Sequence, residues 1–118
     1  MDLNRAIEIH ADWKGKFRKA ITEKQTLDAG MIAVDDRCEL GCWLHGDAKA
    51  RFSGFPSYQT CLTEHARFHA EAGKIAESIN AGQYGEAEAM LAAGTPYAAA
   101  STSVGIAIMR LRKETTPG

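Results

Sequence analysis

The chain has 118 residues, of which 45% are hydrophobic, and a formal net charge of -1. This length corresponds to one domain and excludes a two-domain enzyme, while the apolar content is sufficient for an ordinary core without disulfides. Because 14 Lys and Arg residues are balanced by 15 Asp and Glu residues, the chain lacks the basic field that attracts phosphate backbones or anionic lipid. We therefore expect neither nucleic acid nor a membrane as its partner.

The N-terminal region and the cysteine content together indicate a cytoplasmic protein. No apolar signal region follows Met1, and no apolar run reaches the roughly 18 residues of a membrane span. Three cysteines are an odd number and do not make a disulfide framework. In a reducing compartment, cysteines close to histidines indicate metal or redox chemistry.

The first half of the chain predicts one long and one short helix. Apolar residues recur with helical spacing over about residues 2–24, and His10 lies on the apolar face. The period fails over residues 26–36, which we assign to a connection. Asp36 can then cap a short helix, and the glycines and proline of residues 46–56 predict a second loop.

The second half predicts three further helices. Ser57 is the expected N-cap of a long helix that ends at residues 80–82, because Asn and Gly favour the left-handed stop. A shorter helix over residues 84–93 is closed by Gly94. The last helix begins at residues 95–96, where Thr precedes Pro.

These elements predict an all-α fold. No segment alternates with the period of a strand, and no internal repeat occurs. Long helices joined by short connections predict an antiparallel four-helix bundle with one short additional helix, forming a single domain over residues 1–114. Residues 115–118 are predicted to be a disordered tail.

The positions of the histidines are the most informative feature of the sequence. His10, His65 and His69 lie on apolar stripes, and the spacing of the last two places both imidazoles on one helix face. A lone pair at this spacing is more often a hydrogen-bonded core pair than a metal site. A third buried imidazole favours a shared metal ion, because three unpartnered rings leave many buried polar nitrogens to satisfy.

A thiolate is the expected fourth ligand, and there are three candidate cysteines. Cys61 shares the face of the two histidines but lies about 12 Å along the helix axis from His69, so we interpret it as a buried filler. Cys38 lies in the first turn of the short helix, where the positive end of the dipole lowers the pKa of a thiol. Cys38 is therefore a better candidate than Cys42, one turn later.

The sequence Cys38-Glu39-Leu40-Gly41-Cys42-Trp43-Leu44 resembles the C-x-[LF]-G-x-W-[LIY] signature of the chemoreceptor zinc-binding domain (CZB) family. An early His-x-x-Trp, formed by His10 and Trp13, and the HxxxH pair over residues 65–69 agree with that family in order and spacing. The resemblance covers about residues 3–113. It implies a four-helix bundle that binds zinc through three histidines and one cysteine, here His10, Cys38, His65 and His69.

Four positions in and around the signature carry further expectations. Gly41 is expected to let its turn pack close to a neighbouring helix and Trp43 to cover the site, with a plain core role as an equal alternative for both. Cys42 occupies the variable position of the signature, one turn from the expected ligand, and is a candidate resolving cysteine. His45 falls on no apolar stripe and is expected to be solvated.

A closed site of three histidines and one cysteine is typical of structural zinc, so we expect no enzymatic activity. The resemblance implies a sensor of zinc or of oxidants such as hypochlorous acid, acting on chemotaxis or cyclic-di-GMP synthesis. Because the chain carries neither a methyl-accepting signalling coil nor a cyclase domain, we expect a stand-alone module. We expect a homodimer that passes its signal to a protein of a chemoreceptor or diguanylate cyclase pathway.

Three alternatives to this interpretation are considered. A small zinc hydrolase would use an open three-histidine site, with Glu64 or Glu8 as the nearest candidate general base. A hemerythrin-like or ferritin-like diiron bundle needs several inward carboxylates, and the sequence contains no Glu-x-x-His. In the third alternative the histidines are hydrogen-bonded core residues that bind no metal.

Overall fold

The structure is a computed structural model that describes residues 1–116. Within this range the chain is all helical, as predicted, and contains no strand. The helices are α1 (Leu3–Glu23), α2 (Ala29–Ala33), α3 (Glu39–His45), α4 (Asp47–Phe52), α5 (Pro56–Asn80), α6 (Tyr84–Met90) and α7 (Pro96–Thr115). None of these helices combines the length and the apolar character that crossing a bilayer requires.

The predicted four-helix arrangement is not confirmed. Three helices, α1, α5 and α7, have 20 to 25 residues, and the other four have 5 to 7. Two of the short helices, α2 and α4, lie in segments that the sequence assigned to connections. Helices of one to two turns are too short to show a helical period, and tertiary packing stabilises them instead.

The start of α7 follows the sequence closely, and its end lies one residue beyond the prediction. Thr95 is the N-cap and its side chain accepts a hydrogen bond from the backbone N–H of Ala98, while Pro96 occupies the first turn. At the other end the helix includes Thr115, the first residue of the predicted tail. Residues 117–118 of that tail lie outside the described residues.

The two ends of α5 differ in how well the sequence predicts them. The helix ends at Asn80, and Gly82 follows in the left-handed conformation with φ of 77°, which confirms the predicted stop. The predicted N-cap, Ser57, is wrong. The N-cap is Phe55 and the helix begins at Pro56, two residues earlier than predicted, because proline lacks an N–H and suits the first helical position, and Ser57 is buried.

The helix α5 lies at the centre of the molecule and contacts every other helix. Its most extensive contacts are with α7 and α2, whereas α1 packs mainly against α7. Fully buried side chains of the long helices fill the interfaces, among them Phe17, Phe68, Ile75, Ile108 and Leu111. Each such side chain stabilises the fold by about 1.5–3 kcal/mol.

The helix α2 is held against α5 by close backbone approach and by one side chain. A Cβ atom at Gly73 of α5 would lie 2.6 Å from the Cβ of Ala33, so only glycine allows this packing. Asn80 accepts a hydrogen bond from the N–H of Leu27 at 2.8 Å and donates one to its carbonyl at 2.7 Å. These contacts position the chain that leads into the short helices.

Candidate metal centre

Four side chains from three helices place their ligand atoms together in the interior. His10 comes from the middle of α1, Cys38 from the N-cap of α3, and His65 and His69 from α5. One ligand atom of each lies within 4.8 Å of the other three. The structure thus brings together all four residues that the sequence analysis singled out as metal ligands.

Five of the six distances between these atoms are close to the edges of a zinc tetrahedron. Zn–N bonds of 2.0–2.1 Å and a Zn–S bond of 2.3 Å give N···N edges of about 3.4 Å and S···N edges of about 3.6 Å. The Sγ of Cys38 lies 3.2, 3.6 and 4.0 Å from the Nε2 atoms of His65, His69 and His10. The Nε2 of His65 lies 3.2 Å from that of His10 and 3.0 Å from that of His69.

Hydrogen bonds at the outer ring nitrogens fix two of the tautomers. The Nδ1 of His10 lies 2.7 Å from the carbonyl oxygen of Ala6, and the Nδ1 of His69 lies 2.9 Å from that of Ile32. A carbonyl only accepts, so both Nδ1 atoms carry the proton and both Nε2 atoms present lone pairs to the centre. Two lone pairs and a sulfur that face each other at these distances are stabilised by a cation. The hydrogen bonds from Nδ1 to backbone carbonyls are typical of metal-bound histidine.

The third imidazole, His65, has no such outer partner. It is completely buried, and its Nδ1 makes no hydrogen bond within residues 1–116. With only one nitrogen able to interact in the centre, this side chain depends on the ligand cluster for its polar contacts. His65 is therefore the residue whose burial is best explained by a bound metal ion.

The electrostatics of the centre keep the histidines in the form that binds metal. Burial lowers the pKa of His10 and of His69, and burial followed by repulsion from these two rings lowers the pKa of His65 to about 2. All three imidazoles are therefore neutral at physiological pH. Only neutral imidazole offers the Nε2 lone pair to a metal ion.

The thiol of Cys38 has the opposite requirement. Burial raises the pKa of Cys38, and the N–H of Gly41, which donates to its Sγ at 3.3 Å, opposes that shift. A divalent cation at the centre would lower the pKa of this thiol instead, because a thiol that coordinates such a cation is deprotonated. Metal binding therefore releases the thiol proton.

The chain around Cys38 is shaped by close backbone packing. The predicted N-cap of the short helix, Asp36, is wrong, since Cys38 itself is the N-cap. A Cβ atom at Gly41 would lie 1.8 Å from the carbonyl oxygen of Asp35, which confirms that Gly41 allows its turn to pack closely. The backbone of the preceding turn, rather than a neighbouring helix, is the surface that it meets.

An aromatic ring packs against the centre, and a cavity lies beside it. Phe68 lies edge-on to the rings of His10 and His69, with centroids 5.2 and 5.5 Å apart. Cys38 and His69 also border a cavity of about 350 Å³ whose wall includes Trp13. Cys38 is therefore only partly buried, and it lies beside open space.

The predicted covering role of Trp43 is not what the structure shows. Its ring packs against Phe52 of α4, with centroids 6.1 Å apart, and lines a different cavity. Trp13 is the tryptophan that borders the cavity beside the ligand cluster. Both tryptophans are only partly buried, so the helical spacing of apolar residues could not show which of them borders the ligand cluster.

The remaining cysteines and the fourth histidine lie outside the ligand cluster. Cys61 is fully buried, which confirms its interpretation as a filler, and burial raises its pKa to about 12. Cys42 is exposed and donates from its Sγ to the carbonyl of Asp36. His45 is exposed as predicted, and its Nε2 lies 3.1 Å from a carboxylate oxygen of Asp35.

Neither candidate general base belongs to the cluster. Glu64 lies 3.5 Å from the guanidinium of Arg67, one turn along α5, and Glu8 is exposed. The ligand group found among the described residues contains no carboxylate. A diiron site of the kind that needs several inward carboxylates therefore has no support in residues 1–116.

Two backbone groups that complete the centre were missed by the sequence analysis. The carbonyl of Ala6 lies one turn before His10 in the same helix, so the i to i−4 spacing was an available signal. The carbonyl of Ile32 belongs to α2, 37 positions from His69. No local pattern identifies a contact over that separation.

Comparison with known proteins identifies a family that the chain matches. A family model described as the chemoreceptor zinc-binding domain matches residues 10–76, more than half of the chain and a range that includes all four ligand candidates. No match was found among curated proteins or among solved structures.

Proposed function

The chain belongs to the chemoreceptor zinc-binding domain family, and from that premise we propose that it is a regulatory domain whose zinc centre acts as a signalling switch. The observation that carries the proposal is the convergence of three buried imidazoles and one thiol within 4.8 Å. Four protein ligands leave no open position, which is typical of structural zinc rather than of an enzyme. We propose accordingly that the protein is not an enzyme.

Each ligand makes a separate contribution to the switch. His65 and His69 are held on the central helix, with the ring of His69 oriented by Ile32. His10 ties α1 to the centre, and Cys38 ties the start of α3 to it. When bound, zinc supplies the positive charge that keeps the sulfur deprotonated.

The sulfur of Cys38, a partly buried residue that borders the cavity beside the centre, is the proposed sensing atom. A thiolate reacting with hypochlorous acid gives a sulfenic acid and chloride, so the sulfur loses two electrons and the oxidant gains them. The thiol of Cys42, which is exposed, can then attack the sulfenic sulfur and release water as a disulfide forms. Either product binds zinc less well than the thiolate does, which weakens the centre.

The output of the switch passes to other molecules. We propose a cytoplasmic homodimer that signals to a protein of a chemoreceptor or cyclic-di-GMP pathway. Ile106 and Met109 on α7 support the dimer, because both are large apolar side chains that remain more than 40% exposed. The antiparallel four-helix arrangement is part of this proposal, with the short helices between α1 and α5 taking the place of the fourth long helix.

The proposal is tested by the metal content of the purified protein. We expect about one zinc per chain in the natural protein, and zinc affinity at least 100-fold lower in Cys38→Ala and His69→Ala, since each variant removes a ligand. Cys42→Ala is the matched control and retains the metal. Full zinc retention in Cys38→Ala would indicate the open three-histidine site of a hydrolase. Absence of metal from the natural protein would indicate that the histidines are hydrogen-bonded core residues that bind no metal.

The switch is tested separately from metal binding. Hypochlorous acid is added to the zinc-loaded protein, and zinc release is followed with a colorimetric chelator. We expect release from the natural protein and from Cys61→Ala, because burial shields Cys61. Slower release, or loss of disulfide formation, is expected in Cys42→Ala. If the oxidant released zinc without modifying Cys38, the proposed sensing atom would be wrong.

A further inference from the structure

A second cavity, of about 400 Å³, lies at the end of the molecule where α1 begins and α7 ends. Its lining includes two arginines, Arg51 of α4 and Arg112 of α7, and two aromatic residues, Trp43 of α3 and Phe52 of α4. None of these residues belongs to the ligand cluster. The metal centre therefore does not account for the residues that line this cavity.

The described part of the chain does not neutralise the positive charges in this cavity. Within residues 1–116, neither Arg51 nor Arg112 has a carboxylate at ion-pair distance. The one carboxylate of the lining belongs to Asp2, and it accepts the N–H of Arg5 as the N-cap of α1. Two guanidinium groups thus face the cavity against a single carboxylate that is already used.

The guanidinium of Arg112 is positioned but only partly used. Its Nη1 donates to the side-chain oxygen of Asn4 at 3.0 Å. Its Nε is buried and has no partner in the described part of the chain. A guanidinium carries five N–H donors in a fixed planar fork, which matches the oxygens of a carboxylate or phosphate. Arg112 is therefore held in place by Asn4 with donors left for a ligand.

The aromatic side of the cavity adds a flat apolar surface. The rings of Trp43 and Phe52 lie 6.1 Å apart between centroids, and both residues are partly buried. Arg51 lies over the ring of Phe52, 5.0 Å from its centroid, so a cation–π contact favours a position of its guanidinium near this wall. Aromatic faces beside guanidinium groups suit a ligand that is both planar and anionic.

We propose that this cavity binds a small planar organic anion, an aromatic or heteroaromatic ring that carries a carboxylate or phosphate group. The guanidinium groups of Arg51 and Arg112 bind the anionic group, and Trp43 with Phe52 packs against the ring. A nucleic acid is not the expected ligand, since the chain as a whole has a net charge of -1. The inference does not depend on the zinc centre or on its proposed signalling role.

The test is a titration of the full chain followed by NMR. Benzoate and phenyl phosphate are the two anionic probes, and ionic strength is held constant because screening weakens charge contacts. Benzyl alcohol supplies the ring without the charge, and acetate and inorganic phosphate supply the charge without the ring. The indole N–H of Trp43 reports the cavity, and that of Trp13, beside the metal centre, is the internal control.

We expect saturable shifts of the Trp43 signal with a Kd of about 1 mM or tighter for one or both anionic probes. The probe that binds more tightly identifies the anionic group as carboxylate or phosphate. Arg51→Gln and Arg112→Gln each raise this Kd at least tenfold, because each removes a charge-assisted contact. Arg110→Gln removes the same charge from α7 outside this cavity and leaves the Kd within twofold.

Three results would overturn the proposal. The Trp43 signal could fail to saturate with either probe, or benzyl alcohol, acetate or inorganic phosphate could act as strongly as the ring-bearing anions. An unchanged Kd in Arg51→Gln would also decide against it. Arg51 is exposed, so this variant is expected to fold even if Arg112→Gln, which loses the contact with Asn4, does not.

Discussion

Two regions of this molecule are held together by different interactions. The contact between α5 and α7 is extensive and apolar, with Ile75, Val104 and Leu111 among its fully buried side chains. The region of residues 34–45, here named the Cys38 segment, contacts α1 and α5 much less extensively. Its attachments to the rest of the molecule are the sulfur of Cys38, the buried side chains of Leu40 and Leu44, and the hydrogen bond from Tyr58 to the carbonyl of Leu44.

The difference shows which part of the fold depends on metal. Apolar burial between α5 and α7 is present whether or not zinc is bound, whereas the Cys38 segment loses one of its few attachments when the centre is empty. The structure places α1 mainly against α7, so we expect the Cys38 segment to loosen first. Regions with few apolar contacts are those that open locally at low free energy.

The largest expected effect comes from removing zinc, by a chelator or by Cys38→Ala. Ligation in small zinc domains contributes on the order of 10 kcal/mol, so amide protection in α3 should fall at least about 100-fold. Amide protection in α7 should fall by less than about tenfold. Hydrogen exchange measured by mass spectrometry separates the two regions, with Cys42→Ala as the unaffected control. Equal losses in α3 and α7 would contradict the comparison.

The next largest effect is expected from Gly41→Ala. The added Cβ meets the backbone of Asp35 at 1.8 Å, so the Cys38 segment must shift, at a cost of about 3 kcal/mol in the free energy of unfolding. Zinc affinity should fall at least tenfold, because the N–H of Gly41 donates to the sulfur. Urea unfolding and zinc competition measure the two quantities.

The control for Gly41→Ala is Gly15→Ala in α1, where no atom lies within 4 Å of the added Cβ. Alanine is the better helix former by about 1 kcal/mol, so this variant should be neutral or stabilising. If both variants had the same effect on zinc affinity, close packing at Gly41 would not be what positions the sulfur.

A smaller effect is expected from Gly73→Ala, which acts on the contact between α2 and α5. The added Cβ lies 2.6 Å from the Cβ of Ala33, and separating the helices should cost about 2 kcal/mol. Zinc affinity should fall less than in Gly41→Ala, since only the contact of His69 with Ile32 is disturbed. Urea unfolding measures the cost. Gly105→Ala in α7, with open space around it, should be neutral or stabilising because alanine is the better helix former, and an equal loss there would show that close packing at Gly73 is not the cause.

The smallest effect is expected from Asn80→Ala. This variant removes both hydrogen bonds to Leu27, which anchor the chain before α2. The groups are exposed to water, so we expect a loss of about 1 kcal/mol and unchanged zinc affinity. Thermal unfolding detects it, with Gln83→Ala at the nearby start of α6 as control. A large loss of zinc affinity would show that the α2 region, and not only the Cys38 segment, carries the dependence on metal.

The sequence alone indicated the all-helical class and the candidate ligands, because helical periodicity is a local property. The spacing of His65 and His69 places two imidazoles on one face in any helix, and the position of His10 on an apolar stripe predicts its burial. Likewise Thr95 and Gly82 set helix ends through contacts within a few residues. These features need no knowledge of how the helices pack.

Only the tertiary structure decided which groups meet. The sequence predicted neither that the carbonyl of Ile32 orients His69 nor that α2 approaches α5 at Gly73, since both contacts join positions that are distant along the chain. It could not recognise α2 and α4, whose five and six residues are stabilised by packing rather than by propensity. Trp13 rather than Trp43 borders the centre for the same reason: the direction in which a half-buried side chain packs is set by neighbours that are remote along the chain.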